Sequence, residues 1–197
     1  LASGPVLHAQ YLVRDINPGS GSASISNKVA LGSTLFFRAT DGASGTELWK
    51  SDGTAAGTTM VADIIPGSPS SSPNYLAALG GHVYFSANDG LNGIELWRSD
   101  GTAAGTAMVL DLNKGVANSS PNTLVPFGNL LFFSADDGVN GRELWKSDGT
   151  AAGTAMVADL NPGSAASSPS NMVFLGATLY FTANDVTRSA EHTSELP

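Results

Sequence analysis

The octamer Ser-Asp-Gly-Thr-Ala-Ala-Gly-Thr occurs three times without change, beginning at Ser51, Ser99 and Ser147. Each copy follows Glu-Leu-Trp and one basic residue, so Trp49, Trp97 and Trp145 stand 48 residues apart. A second marker, Asp-Ile/Leu followed by Pro/Lys-Gly, places Asp15, Asp63, Asp111 and Asp159 at the same interval. A fixed period of this length marks an architecture in which one unit cannot bury its own apolar surface and stacks on its copies.

Within the middle copy, four short segments rich in Val, Leu, Phe, Tyr and Trp read as strands: residues 75–79, 82–87, 94–99 and 107–112. Gly80-Gly81 joins the first pair as a tight hairpin. A loop of the form Asp-Gly-x-x-Gly joins the second pair, the octamer the third, and residues 113–121 cross to the next copy. No stretch keeps an apolar period of 3.6. Val83, Phe85 and Ala87 share one strand face with Tyr84 on the other, and Leu131, Phe133 and Ala135 oppose Leu130 and Phe132. Both faces are apolar, as a sheet covered on both sides requires. The expected fold is all-β, a partial β-propeller of four-stranded antiparallel blades of 48 residues.

Composition removes several functions. The chain has 197 residues and no cysteine, which excludes disulfides and thiolate metal sites. Its 17 acidic and 9 basic residues give a net charge of −8, and no basic cluster exists to meet phosphates or an anionic membrane surface. No apolar run reaches the roughly 18–20 residues that span a bilayer as a helix. Nucleic acid and membrane insertion are therefore not expected.

The motif Glu-Leu-Trp-x-x-Asp-Gly-Thr, followed by Gly-Thr and Val-x-Asp-Ile/Leu, stands at residues 47–54, 95–102 and 143–150. It resembles the ELWxxDGT repeat family, and the resemblance runs from about Gln10 to Asp185. It implies a bacterial protein, secreted or held at the cell surface, with no enzymatic activity tied to the motif. The Ser-Asp-Gly-Thr turn also resembles the Asp-box of sialidase-like propellers, but its spacing departs from theirs and nothing is carried over.

The ends depart from the repeat. Residues 1–9 share only one serine with the octamer and read as a leader or signal-peptide remnant. The array spans residues 10–187: a lone strand over 11–16, three full blades and half a fourth. After Asp185 the expected Gly-x-x-Gly-x-Glu-Leu-Trp gives way to a tail, residues 188–197, that resembles translated read-through of a sequencing-adapter oligonucleotide. The missing blades of the same chain are then the expected neighbours of this arc.

The recurrent polar residues read mainly as structural. Trp49, Trp97 and Trp145 suit inter-blade packing better than sugar stacking. Glu47, Glu95 and Glu143 share a face with them and need partners, which backbone amides or the Thr of the next turn supply. Asp52, Asp100 and Asp148 fit Asx-turns, with Gly53, Gly101 and Gly149 at positive φ. The loops opened by Asp41, Asp89 and Asp137, two of them holding Asn92 and Asn140, fit hairpins, with calcium as the alternative and no other cofactor expected. Strand alternation puts these loops on one rim with those carrying Asn17, Asn113 and Asn161, and this rim is the candidate binding face. An array whose polar residues recur in every copy suits scaffolding, adhesion or recognition of a protein or glycan rather than one catalytic centre. A lectin-like binder and an enzyme with its catalytic groups in further blades are the alternatives.

Overall fold

The computed structural model describes residues 12–185, and all its regular structure is β. Three four-stranded antiparallel sheets and one two-stranded sheet follow one another along the chain, each in simple sequence order. The first sheet holds β1 (Ser26–Leu31), β2 (Thr34–Thr40), β3 (Thr46–Ser51) and β4 (Thr59–Ala62). The second holds β5 (Asn74–Leu79), β6 (His82–Asn88), β7 (Ile94–Ser99) and β8 (Ala107–Leu110). The third holds β9 (Asn122–Phe127), β10 (Leu130–Asp136), β11 (Arg142–Ser147) and β12 (Ala155–Ala158). The fourth has only β13 (Ser170–Leu175) and β14 (Thr178–Thr182).

The four strands expected in the middle copy all form. The fourth stops at Leu110 rather than at residue 112 because Asp111 turns the chain, its Oδ2 accepting from the Gly115 amide at 3.1 Å. Gly80 and Gly81 have φ of 57° and 80°, the left-handed pair a two-residue hairpin needs.

The lone strand expected over 11–16 does not form among its described residues, 12–16. In this repeat a fourth strand pairs only with the third strand of its own sheet. The segment before β1 has no such partner. It lies instead as an irregular strap that buries Ile16 against Phe37, Ala39 and Trp49. The leader, residues 1–9, and the adapter-like tail, residues 188–197, lie outside the described residues.

Successive sheets stack face to face, which explains their two apolar sides. Phe36, Leu48 and Val61 of the first sheet meet Val83, Phe85, Ala87 and Trp97 of the second. Tyr84, Leu96 and Val109 of the second meet Leu131, Phe133, Ala135 and Trp145 of the third. Phe132 and Leu144 of the third meet Leu179, Phe181 and Ala183 of the fourth. Each large side chain buried this way is worth about 1.5–3 kcal/mol. The same repeat position is fully buried at Val83, Leu131 and Leu179 but 40% exposed at Leu35, where no sheet precedes among the described residues. The sheets lie nearest at their first strands, β1 beside β5, β5 beside β9 and β9 beside β13, and diverge toward their fourth.

Candidate functional site

The turns between second and third strands and the segments crossing from fourth to first strands gather at one end of the sheets. Asn17 of a crossing segment lies against Gly42, and Asn113 lies against Gly138, so closely that a Cβ at either glycine would meet the amide. At the equivalent place in the second copy, Ile65 packs beside Gly90. The Nδ2 groups of Asn17, Asn113 and Asn161 donate to the carbonyls of Ser22, Asn118 and Ala166 at 3.1, 3.2 and 3.4 Å. These asparagines therefore shape the crossing segments.

The rim aspartates are spent on their own loops. Asp89 Oδ1 accepts from the amides of Leu91 (2.9 Å) and Asn92 (2.7 Å), and its Oδ2 from Asn92 Nδ2 (2.7 Å). Asp137 repeats this with Val139 and Asn140. Asp41 does so with Ala43 and Ser44, whose hydroxyl replaces the Asn side chain. The Ser44 and Ala43 amides hold Asp41 below the ordinary carboxylate value. At Asp89 and Asp137 burial pushes upward, but the loop amides together outweigh it and the net direction is down. Among the described residues, no three His, Asp or Glu side chains gather as metal ligands.

The repeated glutamates tie consecutive sheets together. Glu95 is fully buried: Oε1 accepts from the Ser119 amide at 2.9 Å, and Oε2 from the Leu112 amide at 3.0 Å and the Ser119 hydroxyl at 2.5 Å. Glu143 does the same with Leu160 and Ser167, and Glu47 with Ile64 and Ser71. The carbonyls of Ser71 and Ser119 then accept from the amides of Asn88 and Asp136 at the ends of β6 and β10 in the next sheet, and that of Ser167 from the amide of Asn184 just after β14. Backbone amides are thus half the answer, and the other half is a serine of the crossing segment, not the turn threonine. Burial raises the carboxyls of Glu47 and Glu95, and the serine hydrogen bonds pull partly back.

The tryptophans face the preceding sheet, or in Trp49 the strap at Ile16, and each keeps a buried indole N–H without a partner among the described residues. Asp52, Asp100 and Asp148 each accept from the amide and hydroxyl of the Thr two residues on. Those threonine hydroxyls, then the amides, lower all three carboxyls. The glycines that follow have φ near +90°. These turns belong to the end of the sheets opposite the rim.

At the inner mouth of the rim, where the first strands converge, lies a cavity of about 410 Å³ that the repeat pattern does not announce. It is lined from three copies by Arg38, Ser72, Asn74, Tyr75, Asn88 and Asn122, among others, with no acidic residue. Here the copies differ. Arg38 stands where the others have Ser86, Ser134 and Thr182, and Tyr75 where they have Asn27, Thr123 and Asn171. The backbone is also unusual: Ser72 and Tyr75 hold φ of 52° and 54°, a conformation that recurs at the entry to every first strand. A column-by-column comparison of the copies carries this signal, since departures from an otherwise strict repeat mark where a site becomes unique.

No family model and no curated relative matches the chain. Among solved structures it is similar to the computationally designed Ika4 protein, with 15% identity over 89% of this chain and 93% of that one, at a TM-score of 0.48. It is also similar to the computationally designed Ika8 protein, with 17% identity over 93% of this chain and a TM-score of 0.48. The chain spans 54% of that second protein. At these TM-scores neither likeness bears on fold or function.

Proposed function

We propose that this chain is an arc of a β-propeller, of the ELWxxDGT repeat kind, that serves as a non-catalytic adhesion, scaffolding or recognition module outside the cell or on a bacterial surface. Sheets that touch at their first strands and fan apart toward their fourth support the blade reading. The observation that carries the function is how the polar residues are used. In every copy the conserved-in-repeat acids accept hydrogen bonds from their own blade or the next crossing segment. Among the described residues, the rim and its inner cavity are where Arg38 and Tyr75 depart together from the other copies, and this is the surface taken to meet a partner.

The test is binding, not turnover. The labelled chain is applied to bacterial and host cell surfaces and to a glycan array, with circular dichroism as the check on folding. Saturable binding to at least one of these surfaces is expected. A folded chain that binds none of them would remove the reading.

A further inference from the structure

We infer that the inner cavity is a binding site for an anionic saccharide, a pyranose carrying a carboxylate. This rests on the recognition reading above and gives its site a ligand class.

The first argument is charge. The chain as a whole carries −8, yet this cavity contains an arginine and no acid. Arg38 is half-buried, and its guanidinium has no hydrogen bond or ion pair among the described residues. Arg142, nearby, is different: it donates to the carbonyls of Ser119, Ser120 and Ser134 and so is held in place as structure. A half-buried arginine without a partner is a standing demand for an anion, and its planar fork suits a carboxylate.

The second argument is the direction of the amides. Asn74 Oδ1 accepts from the Tyr75 amide at 3.1 Å, and Asn88 Oδ1 accepts from the Gly90 amide at 2.6 Å. Backbone N–H groups can only donate, so both side-chain oxygens are fixed and the Nδ2 groups are the ends left over. Neither Nδ2 has a partner among the described residues. Asn122 likewise has its oxygen engaged, by the Thr123 hydroxyl at 3.1 Å. The cavity therefore offers an array of donors, and its ligand must be rich in acceptors.

The third argument is shape. Tyr75 is 47% exposed at the cavity wall and offers a ring face to the C–H side of a sugar. A volume of about 410 Å³ accommodates a single ring with its substituents. Ring hydroxyls answer the Asn74, Asn88 and Ser72 groups, and the carboxylate answers Arg38.

Calorimetric titration of the 197-residue chain tests this. The probes are a galacturonate trisaccharide, its neutral galactose counterpart, sulfate, and a short peptide with a free C-terminal carboxylate. The acidic trisaccharide is expected to bind at least ~10-fold more tightly than the neutral one, and more weakly as salt rises. Arg38→Ser introduces the residue the repeat itself holds at positions 86 and 134, so the fold is kept, and it is expected to cost at least ~10-fold in affinity. Tyr75→Asn, the residue at 27 and 171, is the second variant and is expected to weaken acidic and neutral sugars alike. Equal binding of the neutral sugar, an unchanged affinity in Arg38→Ser, sulfate as good a ligand as the sugar, or preference for the peptide would each overturn the assignment. Cell-surface binding that persists in Arg38→Ser removes this inference alone, whereas a wild-type chain that binds no surface removes the recognition reading itself.

Discussion

At the scale of single residues, the most consequential contact is the one between each repeated glutamate and the serine 24 positions later. Both oxygens of Glu95 accept from backbone amides, Oε1 from Ser119 and Oε2 from Leu112. A glutamine at this place must aim its NH₂ at one of those amides, whichever way it turns, and one buried N–H loses its acceptor. Glu95→Gln is therefore expected to cost about 1–3 kcal/mol in urea unfolding at pH 7. The pH dependence adds a second readout. Burial, ahead of the opposing serine contacts, lifts the native carboxyl above its ordinary value of 4.5. Between that value and the raised one the native chain holds more protons than the unfolded chain, so this group's contribution falls as pH rises through the window. In Glu95→Gln that slope is absent, and unfolding curves from pH 4.5 upward compare the two proteins. A variant as stable as wild type, with the same slope, contradicts this tie between Glu95 and the crossing segment. The serines were open to sequence reasoning, because Ser71, Ser119 and Ser167 recur at 48 residues while the equivalent position before the first glutamate is Ala23. Only the fold reveals that a residue 24 positions away returns to the same carboxylate.

At the scale of the element, sequence pattern was a good guide wherever a strand had a partner and a poor one where it lacked one. Residues 94–99 match β7 to the residue because alternation, the Gly93 turn and the Asp100 turn all point one way. Residues 12–16 carry the same apolar pattern as β8 and β12, yet they form no strand, since pairing is a property of two segments and the pattern describes one. The rim was legible from strand parity alone. The cavity was not, because Arg38 and Tyr75 come from different sheets and meet only after stacking. That stacking has a direct test. Leu131 and Leu35 occupy one repeat position on identical strands, but Leu131 is fully buried beneath the second sheet and Leu35 is not. Leu131→Ala is expected to cost about 2–5 kcal/mol and Leu35→Ala about 1 kcal/mol or less, both read from urea midpoints. Equal losses would mean that each sheet's own strands, not its neighbour, bury the position.

At the scale of the whole molecule, the stacking rule leaves two faces without a sheet upon them among the described residues, and they are complementary. On the first sheet the strap at Ile16 covers Phe37, Ala39 and Trp49 and leaves Leu35 40% exposed, on the side that in the second and third sheets receives a neighbour. The fourth presents Val173 and Leu175, 58% and 73% exposed, on the side that Ala77 and Leu79 use to meet the third sheet. The exposed part of one face is therefore the partner type of the other, whether a further sheet or a second copy supplies it. Contact between the two faces of separate copies is head-to-tail, and it builds rings or filaments according to the rotation per contact. Alone in solution, this chain is expected to self-associate as concentration rises from the micromolar to the millimolar range. Leu35→Glu places a charge in the contact and is expected to leave a monomer with an unchanged circular dichroism spectrum, because Leu35 is 40% exposed within one copy. Sedimentation velocity across that range distinguishes the cases. A wild-type chain that stays monomeric throughout shows that the open faces do not pair, while association that survives Leu35→Glu places the contact on another surface. If the contact forms as described, copies repeat the rim and its cavity around an axis, and weak single-site affinities for a surface add into avidity.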